Sequence, residues 1–157
     1  MRKGILACIL VVLFSCSKEN NELIVVNSQG EKYSEIEKLQ LDEKYNNLLN
    51  PQFSTEEEYK EVRKSWFSFH TQIAEIVKEN NFKWEVQDSA IMVLNKIYFN
   101  KNGEVDYYVF RVLNESVPNE KKELYEKILT DNVSKIEINL KRNKQFSQCG
   151  KVKYQNY

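Results

Sequence analysis

Two side chains of the sequence have the chemistry of a base and a nucleophile. His70 is the only histidine, so a Ser-His-Asp relay or a Cys-His pair would have to use it. Its neighbours Trp66 and Ile73 place it on the apolar face of a predicted helix, which favours a packed imidazole. Nothing near Cys149 marks it as a nucleophile, and its place in a predicted strand favours burial. We therefore predict no catalytic residues, with a hydrolase that uses Cys149 or His70 as an alternative.

The residue types also argue against a metal site or a cofactor site. A zinc site needs three or four ligands, and the chain has one histidine and no C-x-x-C or H-x-x-x-H pair. A calcium loop centred on Gly103 would need Tyr98 and Val109 as ligands, and neither can serve. We expect no metal and no cofactor. The balance of 23 basic and 23 acidic residues predicts no nucleic-acid partner.

A group of aromatic residues on one predicted hairpin is the candidate binding surface. Its members are Tyr98, Tyr107, Tyr108 and Phe110. Cross-strand core packing explains such a group, and so does an aromatic face that binds a peptide or a glycan. We keep both interpretations at this stage.

The first sixteen residues indicate the compartment. Arg2 and Lys3 precede an apolar run over 4–14, which is too short to span a bilayer and is typical of a secretory signal peptide. The run ends in Leu-Phe-Ser-Cys at Cys16, which resembles a bacterial lipobox. The resemblance implies cleavage after Ser15 and a lipid-modified Cys16 that holds the protein in a bilayer. Because residue 17 is Ser and not Asp, it also implies the outer membrane rather than the inner membrane.

Length and composition suit one folded domain behind this leader. The chain has 157 residues, of which 41% are apolar and 29% charged, and these values exclude a disordered or polytopic membrane protein. We predict a signal peptide over 1–15, a lipidated Cys16 with a tether over 16–33, and a single domain over 34–157. The apolar tetrad at 23–26 is of strand type but too short to assign.

Helical patterns fill the first half of that domain. Ser34 and Glu37 match a capping box ahead of an imperfect apolar stripe over 36–49. Ser54 and Glu57 match a second box, and an apolar face of period three to four follows over 59–77.

Strand patterns fill the second half. The spacing predicts strands over 91–99, 105–113 and 146–154, a helix after Pro118, and alternation at 136–140 that fits a further strand. Gly150 indicates a bulge or a close approach within the last strand. We predict an α+β fold, with N-terminal amphipathic helices packed on one face of a small antiparallel sheet and the order β-hairpin, helix, strand.

The segment 97–108, Ile-Tyr-Phe-Asn-Lys-Asn-Gly-Glu-Val-Asp-Tyr-Tyr, resembles the hairpin of TonB C-terminal-type domains. With the closing strand at 145–152, the resemblance covers 91–155. It implies strand-addition binding of extended peptides and no catalytic residues. The sequence has no inner-membrane anchor helix and no Pro-rich segment, so we expect no energy transduction.

We therefore expect a membrane-anchored envelope lipoprotein that acts as a non-catalytic binding or adaptor module for a protein or peptide. An immunity or inhibitor lipoprotein is the second hypothesis, and the thiol-dependent hydrolase is the third.

Overall fold

The computed structural model describes residues 24–156. The predicted signal peptide, Cys16 and the first part of the tether lie outside the described residues. The elements, in chain order, are β1 (Ile24–Asn27), α1 (Tyr33–Lys38), α2 (Leu41–Lys44), β2 (Asn46–Asn47), α3 (Glu56–Glu79), β3 (Ala90–Phe99), β4 (Val105–Val112), α4 (Asn119–Asn132) and β5 (Phe146–Gln155), with 3-10 turns at Pro51–Phe53 and Val133–Lys135.

The fold is α+β, with one five-stranded mixed sheet in the order β1-β4-β3-β5-β2. The central strand β3 pairs antiparallel with β4 on one side and with β5 on the other, where the pairing runs from Ala90 opposite Gln155 to Phe99 opposite Phe146. The two outer strands, β1 and β2, pair in parallel with β4 and β5.

The predicted architecture of N-terminal helices on one face of an antiparallel sheet is therefore wrong. The described chain opens with a strand, because the apolar tetrad that we placed in the 16–33 tether supplies β1 of the sheet. Both faces of the sheet are covered. One apolar cluster packs α3 and α4 against residues such as Tyr108, and a second packs Ile36 of α1 and Leu41 of α2 against Tyr98 and Val109.

The predicted helical stripe over 36–49 is two short helices and the strand β2. Gln40 adopts a left-handed backbone (φ 49°), which ends α1 and begins α2 at a new angle. The capping box at Ser34 and Glu37 does not form, since the Ser34 hydroxyl donates to the carbonyl of Glu31 instead.

The N-cap of the long helix α3 lies one residue later than predicted. Thr55 and Glu58, not Ser54 and Glu57, form the capping box, with Glu58 N–H donating to Thr55 Oγ1 (3.2 Å) and Thr55 N–H to Glu58 Oε2 (2.8 Å). Ser54 with Glu57 and Thr55 with Glu58 both fit the sequence pattern of a capping box, so the pattern alone does not distinguish them.

Ile136, Ile138 and Leu140 are buried, but the segment at 136–140 forms no strand of its own and makes only an isolated bridge between Glu137 and Glu104. It packs beneath the hairpin turn, where the N–H of Ile138 donates to the carbonyl of Gly103 (3.0 Å). Gly103 has φ +93°, and a Cβ there would meet the carbonyl oxygen of Ile138 at 2.5 Å. The turn therefore needs glycine for both conformation and space.

Among the described residues, both apolar clusters draw their members from positions 25–154. A chain of residues 22–157 keeps all of them. Among residues 24–156, no helix combines the length and the apolar character needed to cross a bilayer.

Candidate functional site

The site begins at β5, whose peptide groups alternate in direction. The carbonyl of Met92 accepts from Leu113 N–H (2.8 Å), so the even-numbered residues of β3 turn their peptide groups toward β4 and its odd-numbered residues toward β5. Each odd residue of β3 faces an even residue of β5, as Val93 faces Val152. The odd residues of β5 therefore point their N–H and C=O groups away from β3.

Strand β2 covers only the start of that outer side of β5. It pairs with Phe146 and Ser147, and Ser147 accepts a hydrogen bond from Leu48 N–H (2.9 Å). Beyond this point the outward peptide groups have no hydrogen-bond partner among the described residues. We call this stretch the free edge of β5; its outward residues are Cys149, Lys151, Lys153 and Gln155.

A cavity of about 750 Å³ opens beside the far end of the free edge. Its apolar walls come from α3, the segment after it, and β5: Phe67, Ala74, Val77, Phe82, Trp84 and Val152. The residues from Val152 of β5 to Asn156 line it, both those whose peptide groups point toward β3 and those whose peptide groups point away from β3. The cavity therefore reaches around the strand to its free edge and is not confined to the face beneath α3.

His70 and Tyr154 form the wall between the cavity and the core. Nδ1 of His70 lies 2.6 Å from the hydroxyl of Tyr154, and the ring packs edge-on against Trp66 with centroids 4.1 Å apart. Nε2 is buried and has no hydrogen-bond partner in the described residues. Burial lowers the pKa of His70 to about 3, so the imidazole is neutral near pH 7. The predicted burial of His70 is confirmed.

Three phenols lie together at this wall. Burial raises the pKa of Tyr108, Tyr125 and Tyr154, and the three groups influence one another. Tyr108 donates to Asn95 Oδ1 (2.8 Å), whereas the buried hydroxyl of Tyr125 has no partner in hydrogen-bonding geometry in the described chain. Tyr125 also lines the cavity, so a second residue of the wall carries a buried polar atom without a hydrogen bond of good geometry, although its hydroxyl lies beside the phenols of Tyr108 and Tyr154.

The four predicted binding aromatics do not share a surface. Tyr108 and Phe110 are buried beneath α3 and α4, while Tyr98 and Tyr107 belong to the opposite face of the sheet. Tyr98 is buried there as well, so Tyr107 is the member with a partly accessible side chain. Their role in binding stays a prediction.

A small polar cluster covers Tyr98 on that opposite face. Its hydroxyl donates to Asp42 Oδ1 (3.0 Å), and Lys96 Nζ lies 2.5 Å from Asp42 Oδ2. Burial and the Asp42 carboxylate together raise the pKa of Tyr98 well above its usual range. The cluster ties α2 to β3 across about fifty residues of chain.

Cys149 lies apart from His70. On β5 the residues of even number face α3, as Gly150 does against the Trp66 ring, so Cys149 faces the other side of the sheet near Lys96 and Asp42. Burial raises the pKa of its thiol, which lowers the thiolate fraction. The structure therefore does not bring together the two groups that a thiol-dependent hydrolase would pair.

No group of three or more His, Cys, Asp or Glu side chains in the part of the chain that is described is placed to hold a metal ion.

The sequence analysis missed the cavity, because its walls come from four separate segments that no short motif connects. One local signal was present. Phe67 lies outside the apolar stripe of α3, and in the structure it is 76% exposed at the cavity. A large apolar side chain on the polar side of a helix is a hint of a surface that binds something.

Comparisons with known proteins found no match: no family model, no curated protein and no solved structure matches the chain. The resemblances to lipoproteins and to TonB C-terminal-type domains stay predictions.

Proposed function

We propose that the protein is an envelope lipoprotein, held in the outer membrane through an acylated Cys16, that binds an extended peptide of a partner protein at the free edge of β5 without transforming it. The observation that carries the proposal is the row of outward peptide groups from Cys149 to Gln155, which have no partner among the described residues. An extended segment can pair with such a row as an added strand.

The charge of this edge defines the kind of peptide. The side chains of Lys151 and Lys153 are exposed and make no ion pair with a described residue. Lysines on a sheet edge discourage pairing with neutral or basic strands. A segment that carries acidic residues opposite Lys151 and Lys153 is attracted to this edge, because opposite charges pair across neighbouring strands. The partner segment is therefore extended and acidic.

A photo-crosslinking experiment in cells that make the full chain tests the proposal. A p-benzoylphenylalanine residue replaces Lys151 at the free edge, or Glu115 in the exposed segment between β4 and α4 as a control position. We expect the probe at position 151 to give a discrete adduct, whose partner peptide is identified by mass spectrometry as acidic. The control position should give none of it.

A proline variant separates strand addition from contact with side chains. Lys153→Pro removes one outward N–H donor without removing a hydrogen bond to β3, whereas Lys153→Ala keeps the donor. The adduct should disappear with Pro and persist with Ala. An adduct that survives Lys153→Pro in a protein of unchanged melting temperature, or that forms equally at position 115, contradicts the proposal.

A further inference from the structure

The cavity beside β5 has the size and the wall chemistry of a small-molecule site. Its volume of about 750 Å³ lies within the usual range of ligand pockets, roughly 300–1,000 Å³. Most of its wall is apolar, including Val77, Phe82 and Trp84. Such a wall favours a ligand with an apolar body, since both surfaces leave water on binding.

Two residues of the wall each carry a buried polar atom that has no hydrogen-bond partner of good geometry among the described residues. These atoms are Nε2 of His70 and the hydroxyl of Tyr125, on side chains that are 5% and 1% exposed. A neutral imidazole carries one N–H, and when the Tyr154 phenol donates to Nδ1 this N–H lies at Nε2 and needs an acceptor. Leaving a buried donor unpaired costs about 1–3 kcal/mol, so an oxygen-bearing ligand relieves a penalty already present in the fold.

The rim of the cavity is positively charged. Lys78, Lys83 and Lys153 line it with a single carboxylate, Glu75, and none of the four makes an ion pair with a described residue. Three positive charges against one negative charge favour an anion at the rim.

We propose that this cavity binds a small molecule that has an apolar body and one carboxylate group, of the size of a medium-chain fatty acid. The apolar body lies against Trp84 and Val77, the lysines attract the carboxylate, and its oxygens accept from the buried donors. This goes beyond the proposed peptide binding and does not depend on it, because the apolar walls and the buried donors of the cavity lie outside the free edge, which shares only Lys153 and Gln155 with it.

Decanoate, decan-1-ol and decyltrimethylammonium have the same ten-carbon chain and differ in charge, so they are the probes. Each is titrated below its micelle concentration into the chain of residues 22–157, with calorimetry and tryptophan fluorescence as readouts. We expect decanoate to bind with one-to-one stoichiometry and about tenfold or more tighter than either other probe, which corresponds to about 1.4 kcal/mol. Equal binding of the three probes, or no binding of decanoate, overturns the proposal.

Variants locate the bound probe. Tyr125→Phe keeps the ring and removes the unpaired hydroxyl, so decanoate should bind about fivefold or more weakly while the melting temperature stays the same or rises. The control Tyr45→Phe removes a hydroxyl that donates to Asp106 on the opposite face, and it should leave the affinity unchanged.

Two further substitutions test the rim and the volume. Lys78→Gln with Lys153→Gln should abolish the preference for decanoate over decanol. Ala74→Trp, at an exposed position of the wall, should block the binding of every probe. Full affinity in the Ala74→Trp protein would place the probe elsewhere and overturn the assignment.

Discussion

His70 and Tyr154 are joined by a hydrogen bond of 2.6 Å between Nδ1 and the phenol oxygen, and this bond fixes α3 against the end of β5. It is the only polar link that the described residues provide for the His70 ring, whose other nitrogen has no partner. Apolar contact of the ring with Trp66 completes its environment.

Tyr154→Phe should destabilise the domain. The substitution leaves both ring nitrogens of a buried imidazole unpaired, which costs about 1–3 kcal/mol in the free energy of unfolding. Urea unfolding of residues 22–157 measures the loss, with Tyr107→Phe as the control on the opposite face. A loss below about 0.5 kcal/mol would show that the bond contributes little.

The imidazole ring of His70 should stay neutral at acidic pH, down to at least pH 4.5. Its pKa is about 3 in the folded chain because of burial, whereas the value for an exposed histidine is 6.5. Since it is the only histidine, a chain of residues 22–157 gives a single imidazole Cε1–H NMR signal. The shift of that signal should stay constant from pH 7.5 to pH 4.5, and a titration midpoint above pH 5.5 would contradict the assignment.

The same shift makes the stability of the fold depend on pH. Between pH 6.5 and about 3 the unfolded chain binds one proton more than the folded chain at this position, so stability falls as the pH falls through this window. The slope approaches about 1.4 kcal/mol per pH unit. In His70→Gln the slope between pH 6.5 and pH 5.5 should be much smaller, because the imidazole that takes up the proton in the unfolded chain is gone. An unchanged slope in this variant would assign the effect to other groups.

Gly103→Ala should destabilise the hairpin turn. The new Cβ would meet backbone oxygens of Ile138 and Leu140 at 2.5 and 2.8 Å, at a residue with φ +93°. We expect a loss of about 2 kcal/mol or more in the free energy of unfolding. Gly150→Ala is the matched control, because its Cβ would lie at an ordinary 3.4 Å from the Trp66 ring. Equal losses in the two variants would refute this account of the turn.

The thiol of Cys149 should react slowly with iodoacetamide in the folded chain at pH 7. Burial raises its pKa, and the side chain is only partly accessible. The rate should rise at least about tenfold in denaturing urea, where the thiol regains its usual pKa near 8.5. A folded rate equal to the unfolded rate would reveal an open and reactive thiol.

Cys16→Ser tests the proposed anchor directly. Without the thiol no lipid can be attached, so metabolic palmitate labelling should be lost and the protein should leave the membrane fraction. The matched control Ser17→Ala should label and fractionate as the unaltered chain does. Retention of Cys16→Ser in the membrane fraction would show that another feature holds the protein there.

Local patterns predicted the three long strands well. The strands expected over 91–99, 105–113 and 146–154 are observed as Ala90–Phe99, Val105–Val112 and Phe146–Gln155. The pairing of strands was not predictable in this way. The parallel partnerships of β1 with β4 and of β2 with β5 join segments about eighty to a hundred residues apart, and no local pattern records them.

The candidate site was less predictable than the elements. Tyr107 and Tyr108 are adjacent in β4, and side chains of adjacent strand residues point to opposite faces, so the hairpin aromatics could not form one surface. The cavity was out of reach because its walls meet only when α3, α4 and β5 are assembled. The sheet edge was expected in general terms, whereas its position on β5 depends on how short β2 is.

Strand β1 runs in the same direction as β5, so the described chain starts at the end of the sheet where β5 begins. Ile24 lies level with Tyr107, Tyr98 and Ser147 across the sheet, so β1 and β5 run the same way and the chain enters at the level where β5 begins. Seven residues separate Cys16 from Ile24, so the Cα atoms of these two residues lie at most about 28 Å apart. Tyr154 lies seven residues further along β5, about 23 Å away. A tether of that length is longer than the distance along the sheet to the mouth beside Tyr154, so a lipid on Cys16 would let this mouth face either the bilayer or the aqueous compartment.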